Sequence, residues 1–214
     1  MQGPAHIGVG WLLGEIAGLK ARRDRRIVGL AEIAPNIDVI IYPLAYIFYL
    51  GDLDAAFAVY AALHHRYTHG VLFLLLAGAA AWCWASPNCR AKVLLLAMLS
   101  VTLYVGGDVV ASGQAWPIFP FAPFAEISST VAWSIEASDW RNVGLSFAAI
   151  TMTLVCARYY GYSPLECFSY RADAWLVAVT RGQFESTRRF RIVIYLTLAA
   201  ISALVLLPLW LYFR

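Results

Sequence analysis

The chain has 214 residues, of which 61% are apolar and 14% charged, and its mean hydropathy is +0.67. Soluble domains are nearer half apolar and a quarter charged, so this composition excludes an ordinary soluble domain and favours a polytopic membrane protein. The formal net charge is +3, and the basic residues form clusters between apolar runs, at 20–26, 90–92 and 188–191. Such clusters are typical of the cytoplasmic flanks of membrane helices, so no nucleic-acid partner is expected.

The apolar runs can be compared with a membrane span, which needs roughly 20 residues. Residues 4–19 form an apolar helix candidate that is short for a span. Residues 27–50 are long enough, but Pro35, Asn36 and Asp38 stand near their middle, so the helix is expected to break or kink there. Residues 55–85 are expected to form one continuous or slightly bent helix, whose first half is polar enough to face protein or water.

The second half of the chain continues this pattern. Spans are expected at 92–111, 143–160 and 190–213, separated by a Pro- and aromatic-rich loop at 112–142 and by an amphipathic interfacial segment at 161–189. We therefore predict an all-α, polytopic transmembrane bundle of about five or six membrane helices. Residues 1–214 are expected to form a single integral membrane domain.

The positions of the basic clusters predict an orientation. If residues 20–26 are cytoplasmic, the alternating spans bring the other basic clusters to the same side. The 112–142 loop then lies outside, with its tryptophans at the outer membrane–water interface. We expect the protein in the cytoplasmic (inner) membrane of a bacterium or archaeon, with its functional site toward the outer face.

Few polar side chains interrupt the apolar runs. A charged side chain inside a span costs roughly 2.5–3.5 kcal/mol on insertion scales, so such residues are read as functional by default. Glu15 and Glu32 are the main polar residues expected outside the outer half of the membrane. The topology places the remaining candidates toward the outer side: His6, Asp38, His65, His69 and Asp108.

His65 and His69 have the i, i+4 spacing that projects two imidazoles from one helix face, which suits a shared divalent metal. His64 is expected about 100° away, outside that site. Ordinary interfacial hydrogen bonds are the alternative for the histidines, and helix capping or pairing with Arg66 is the alternative for the acids. Asp38 and Asp108 at matching depth favour a metal site, and the His/Asp donors suit Zn²⁺ best, or Mn²⁺ or Fe²⁺.

Arg66 lies between the two histidines. Its guanidinium suits a bidentate grip on phosphate, and a salt bridge to Asp38, Asp54 or Asp108 is the alternative. The sequence contains no GxSxG, HExxH, P-loop or GxGxxG motif. A metal that lowers the pKa of its bound water to about 7 is then the simplest hydrolytic chemistry. In that scheme Arg66 and the metal stabilise developing charge, and Asp38 or Asp108 acts as a base.

The ordered blocks resemble a known family. His6, APNID at 34–38, HRYTH at 65–69 and YVGGDVVASGQAWPIFPF at 104–121 are similar to the motifs of the YdjM-like membrane-bound metal-dependent hydrolases. That family in turn resembles the zinc-dependent phospholipase C and P1 nuclease group. The resemblance implies an integral membrane hydrolase with a divalent metal. The ligands it implies are His6, Asp38, His65, His69 and Asp108.

Two residues depart from the family pattern. Asn36 stands where the pattern has an Asp, and Tyr104 stands where a later box has a His. Two ligands of a multinuclear site are thus replaced, which favours a single metal or a degenerate site. The Tyr104 hydroxyl could still position a water or a phosphate oxygen.

Three functions are compatible with these residues. The first is a metal-dependent hydrolase that cleaves the phosphoester of a lipid, with membrane lipids as its surroundings. The second is a transporter or channel in which the His/Asp cluster binds a cation in transit, as the Pro-broken helix at 27–50 would suit. The third is a non-catalytic membrane scaffold or lipid-binding protein that retains a degenerate site.

Overall fold

The fold is that of a computed structural model, which describes residues 3–114, 116–136 and 139–182. Within these ranges the chain is helical and contains no β-strand, only an isolated bridge between Ile118 and Ser129. The α-helices, in chain order, are α1 Gly3–Ile16, α2 Arg22–Ile33, α3 Ile41–Phe48, α4 Leu53–Leu63, α5 Val71–Trp84, α6 Arg90–Ala111, α7 Trp140–Tyr159 and α8 Tyr170–Thr180. Three 3-10 helices join them, at Ala34–Ile40, Pro87–Cys89 and Pro164–Cys167.

Among the described residues, three helical segments are long and apolar enough to cross a membrane: Arg22–Phe48, Pro87–Ala111 and Trp140–Tyr159. Leu53–Leu63 and Val71–Trp84 are shorter apolar helices. Many large apolar side chains on these helices are exposed, among them Leu75, Leu95 and Phe147. An apolar exterior of this extent indicates a surface that faces lipid. The predicted span at 190–213 and residues 183–189 lie outside the described residues.

The predicted break in the 27–50 span is confirmed. The α-helical geometry of α2 stops at Ile33, and Ala34–Ile40 continue as a 3-10 helix before α3 begins. Pro35 lacks the amide hydrogen that an α-helix needs at this position, and it stands at the start of the 3-10 turn. The tighter turn carries Asp38, which is buried, to the end of α2 that faces the functional site.

The prediction of one continuous or slightly bent helix over 55–85 is wrong. The chain leaves helical geometry after Leu63 and re-enters it at Val71, so α4 and α5 are separate helices. His65 has a φ of 65°, in the left-handed region that interrupts a helix. The 112–142 loop supplies hydrogen-bond partners for the backbone of this turn. The Phe119 amide donates to the His65 carbonyl, and the Val71 amide donates to the Pro120 carbonyl.

Helices α1, α2 and α6 pack closely around the core that positions the site. Gly10 of α1 permits this approach, because a Cβ there would lie 2.5 Å from Glu32 Cβ and 2.8 Å from Ser100 Oγ. Val28, Val93, Ala97 and Val101 fill the space between α2 and α6. The close crossing places His6, one helical turn before Gly10, beside residues of α2 and α6.

A buried ion pair fastens the other end of α2. Glu166 accepts hydrogen bonds from Trp11 Nε1 at 2.8 Å, from Arg22 Nε at 3.0 Å and from Arg25 Nε at 2.7 Å. Glu166 is fully buried and Arg25 nearly so. Charges removed from water in this way depend on their partners, so the pair connects α1, α2 and the 3-10 helix Pro164–Cys167.

Glu166→Ala is therefore expected to lower the free energy of unfolding by about 3–5 kcal/mol, because it leaves the Arg25 guanidinium buried without its main partner. The measurement is denaturant unfolding of the detergent-solubilised protein. Glu126→Ala, which removes a largely exposed partner of Arg66, is the control, with an expected loss below about 1 kcal/mol. Equal losses in the two variants would contradict this role for Glu166.

Candidate metal centre

Three imidazoles approach the two oxygens of one buried carboxylate. His6 Nε2 lies 3.4 Å from Asp108 Oδ1, while His69 Nε2 lies 3.7 Å and His65 Nε2 4.0 Å from Asp108 Oδ2. We call His6, His65, His69 and Asp108 the metal centre. Its members come from α1, the 64–70 turn and α6, and all four are buried. His65, His69 and Asp108 alone form a group whose ligand atoms lie within 4.8 Å of one another and could hold a metal ion.

The hydrogen bonds at the opposite nitrogens determine where the protons sit on two of these rings. His65 Nδ1 lies 3.3 Å from the Trp116 carbonyl, which can only accept, so Nδ1 carries the proton. The Thr68 hydroxyl donates to Asp38 Oδ2 at 2.9 Å and therefore accepts from His69 Nδ1, also at 2.9 Å. In both rings Nε2 is then left with a lone pair directed to Asp108, as metal-ligating histidines require.

Glu32, which the sequence predicts outside the outer half of the membrane, forms an ion-pair contact with His6. Glu32 Oε1 lies 3.5 Å from His6 Nδ1, on the side of the ring opposite Asp108. Glu32 also accepts a 2.6 Å hydrogen bond from Ser100 Oγ, and the Tyr104 ring stacks on His6 at a centroid distance of 4.0 Å. A carboxylate behind an imidazole is the usual support of a metal-bound histidine.

The centre has the chemistry that a divalent cation requires. His69 Nε2 and both His6 nitrogens are buried without a hydrogen-bond partner among the described residues, although buried polar atoms are normally paired. Zinc bonds of roughly 2.0–2.2 Å place tetrahedral ligand atoms about 3.3–3.6 Å apart. The observed separations of 3.4–4.0 Å from Asp108 fit this spacing after small side-chain movements. The residues therefore fit a divalent metal.

Burial keeps His65 neutral. Its removal from water, together with the neighbouring His69 and His64, lowers the pKa of His65 to about 3. The folded pKa lies well below the ordinary value of about 6.5, so the imidazole stays unprotonated throughout the physiological range. A neutral imidazole is the form that binds metal.

Asp38 lies near the centre but on the far side of its histidines. Its Oδ2 is 3.7 Å from His69 Nδ1 and 3.0 Å from His64 Nδ1. This is the position of a supporting carboxylate, since the ring of His69 separates it from Asp108. Its other oxygen, Oδ1, is buried and accepts no hydrogen bond from the described residues.

His64 is closer to the cluster than predicted. The expected 100° separation assumed a helix, but the turn places the His64 ring 3.8 Å from that of His65, measured between centroids. His64 then reaches Asp38 and so supports the pair formed by Asp38 and His69. The HHRYTH segment thus contributes three histidines to one cluster.

Arg66 forms its salt bridge with Glu126, which is not among the three acids considered as alternative partners. Its Nη2 donates to Glu126 Oε2 at 2.6 Å, and its guanidinium lies over the Phe119 ring at 5.0 Å. Both side chains are partly exposed at the edge of the 112–142 loop.

The two residues that depart from the family pattern contact each other. The Tyr104 hydroxyl donates a 2.6 Å hydrogen bond to Asn36 Oδ1. A neutral pair thus stands where the pattern would have a His and an Asp, next to His6 and Asp38.

Glu32→Gln is expected to weaken metal binding by about tenfold, the lower end of the effect of such supporting partners. The amide of this variant lacks the negative charge that, close to His6 Nδ1, makes Nε2 a better donor to a metal. Competition with a chromogenic chelator measures the affinity. Glu15→Gln, on the same packed helices but bonded to Tyr162, is the control, and an equal loss in that variant would contradict the role of Glu32.

Comparisons of the chain with family models, with curated proteins and with solved structures find no match. The YdjM-like resemblance therefore stays a prediction. The described residues combine a buried His/Asp group that could hold a metal ion with three helices that are long and apolar enough to cross a membrane.

Proposed function

We propose that this protein is an integral membrane metal-dependent hydrolase that cleaves the phosphoester of a lipid. The observation that supports this most is the convergence of His6, His65 and His69 on Asp108, with a supporting partner behind each imidazole. Structural zinc sites are usually closed by Cys-rich ligand sets, whereas catalytic sites use His and carboxylate ligands and keep one position open.

Zn²⁺ is the cation we propose, with Mn²⁺ or Fe²⁺ as alternatives, because imidazole and carboxylate donors suit these ions. His65, His69 and Asp108 would hold it, with His6 reaching the second oxygen of Asp108. When bound, such a cation supplies a nucleophilic water of lowered pKa and a Lewis acid for a phosphoryl oxygen.

Nearby side chains can assist this chemistry. Asp38 Oδ1 is buried and free of hydrogen bonds from the described residues, so it can hold a proton released during hydrolysis. Arg66 lies at the accessible edge of the site and can exchange its contact with Glu126 for a substrate phosphate. The Tyr104 hydroxyl is engaged by Asn36, which assigns it to orienting the centre.

The surroundings of the centre favour a lipid over a soluble phosphoester. The loop that completes the 64–70 turn exposes large aromatic side chains, among them Phe121, Phe124 and Trp133. Aromatic residues of this kind are enriched at the membrane–water interface. The basic clusters would put this face outside, in the inner membrane of a bacterium or archaeon. A substrate entering from the bilayer would meet the centre without crossing water.

A non-catalytic cation-binding scaffold is the second candidate, and the hydrogen bond between Tyr104 and Asn36 favours it. If two ligand positions have been exchanged for a neutral pair, the remaining centre could bind a cation without turning over a substrate. Bound metal in the absence of any hydrolysis would identify this case.

The test is a substrate screen on the purified, zinc-loaded protein, with soluble phosphomonoesters, soluble phosphodiesters and phospholipids in mixed micelles. We expect hydrolysis of a phospholipid that stops on chelation and returns with Zn²⁺. Absence of turnover on every class by a protein that holds its metal would reject the hydrolase proposal.

A further inference from the structure

An apolar groove begins at the metal centre and runs between α5 and α6. Its volume is about 310 Å³. His69 and Gly70 line the groove. Its other lining residues include Val71 and Leu74 of α5 and Val101, Thr102 and Gly106 of α6. The groove therefore connects a buried imidazole of the metal centre with the apolar exterior of two helices.

The interior of the groove offers almost no polar contact. Thr102 is the only hydroxyl residue among its walls, and its Oγ1 donates to the Met98 carbonyl of its own helix at 2.9 Å. Because this hydrogen bond lies within α6, the hydroxyl proton is not available to a ligand in the groove. A ligand in the groove consequently meets hydrocarbon along its length, which suits an unbranched apolar chain.

Gly106 keeps the groove open. A Cβ added there would have no heavy atom within 4 Å, so the absence of a side chain is not required by helix packing at this point. Leu103 and Phe121 beside it are exposed, and the segment Pro87–Ala111, which carries Gly106, is long and apolar enough to cross a membrane. A chain can thus enter sideways from the bilayer.

We propose that this groove binds one acyl chain of a phospholipid and so presents the phosphoester at His69. The inference rests on the proposed function for its substrate and adds where that substrate lies. The volume is at the lower end of the roughly 300–1,000 Å³ typical of ligand pockets, which suits a single chain rather than a two-chain lipid. His69 lines the groove, so the polar head of a lipid bound there would meet the metal centre.

The test uses Gly106→Phe, which fills the groove, and Gly144→Phe as the matched control. Gly144 is also an exposed helical glycine with no heavy atom within 4 Å of an added Cβ, but it lies on α7. Each protein is assayed with a short-chain and a long-chain alkyl phosphodiester, and its metal content is measured. We expect the wild type and Gly144→Phe to prefer the long chain by at least about tenfold in kcat/KM, and Gly106→Phe to lose this preference through a raised KM.

A binding measurement separates this inference from the proposed hydrolysis. A phospholipid with a diazirine on its acyl chain is photo-crosslinked to the three proteins, and the labelled residues are mapped by mass spectrometry. We expect labelling within 101–106 of the wild type and of Gly144→Phe, reduced at least about tenfold in Gly106→Phe. Labelling of this pattern without turnover would support the groove and reject the hydrolase. Equal labelling of 101–106 in Gly106→Phe, or an unchanged chain-length preference, would overturn the groove proposal.

Discussion

Replacing His69 and Asp108 together with alanine is expected to reduce hydrolysis of the lipid phosphoester by more than about 100-fold. That figure is the upper end of what loss of a supporting partner costs, and this variant removes two members of the metal centre. His69 Nε2 and Asp108 Oδ2 lie 3.7 Å apart, so both side chains would contact the same cation. The measurement is kcat/KM on the phospholipid identified by the substrate screen.

The control for this variant is Asp139→Asn, which changes a carboxylate outside the centre that pairs with Arg141. Both proteins are compared by gel filtration in detergent, so that loss of fold is separated from loss of chemistry. Substantial turnover by a correctly folded His69→Ala, Asp108→Ala protein would remove the metal centre from the mechanism.

A series of histidine variants tests how the three neighbouring imidazoles divide their roles. His65→Ala and His69→Ala are each expected to weaken metal binding by more than about 100-fold, because each removes a nitrogen directed to Asp108. His64→Ala is expected to weaken it by about tenfold at most, because His64 contacts Asp38 at 3.0 Å and supports the centre indirectly. Chelator competition at a fixed pH gives the three affinities.

The order of these affinities is the informative result. The three histidines lie within six residues of one another and are chemically identical, so any difference between them reports geometry. A larger loss in His64→Ala than in His69→Ala would contradict the assignment of their nitrogens.

The sequence predicts which residues form this centre better than it predicts the backbone conformation that brings them together. Apolar spans have a nearly fixed length, so polar groups near the same ends of successive spans must lie at similar depths. Depth in the membrane therefore predicts that His6, Asp38 and Asp108 lie near the histidine pair. Pro35 likewise predicted the change of helical geometry near Asp38, because its effect on the backbone is local.

The turn at 64–70 could not be predicted in the same way. An i, i+4 spacing predicts a shared helix face, but the turn also brings the His65 and His69 rings within 4.4 Å of each other, measured between centroids. The turn is stabilised by backbone hydrogen bonds between His65 and Phe119 and between Val71 and Pro120, and the loop that contains Phe119 and Pro120 is some 50 residues away in the chain. The roles of His64 and Thr68 follow from that turn, so they were missed as well.

Glu32 was missed for a different reason. In the sequence it is a lone acid outside the outer half of the membrane, and its contact with His6 requires α1 and α2 to cross closely at Gly10. A signal was present, since Gly10 follows His6 by one helical turn. A small residue such as Gly10 permits a close helix contact in membranes.

Metal analysis of the purified wild-type protein tests the central claim most directly. Elemental quantitation is performed after incubation with Zn²⁺ and extensive dialysis, alongside the His69→Ala, Asp108→Ala variant. The convergence of three imidazoles on Asp108 predicts about one tightly held cation per wild-type chain and none above background in the variant. A folded wild-type protein that retains no cation, or a variant that retains as much as the wild type, would contradict the account.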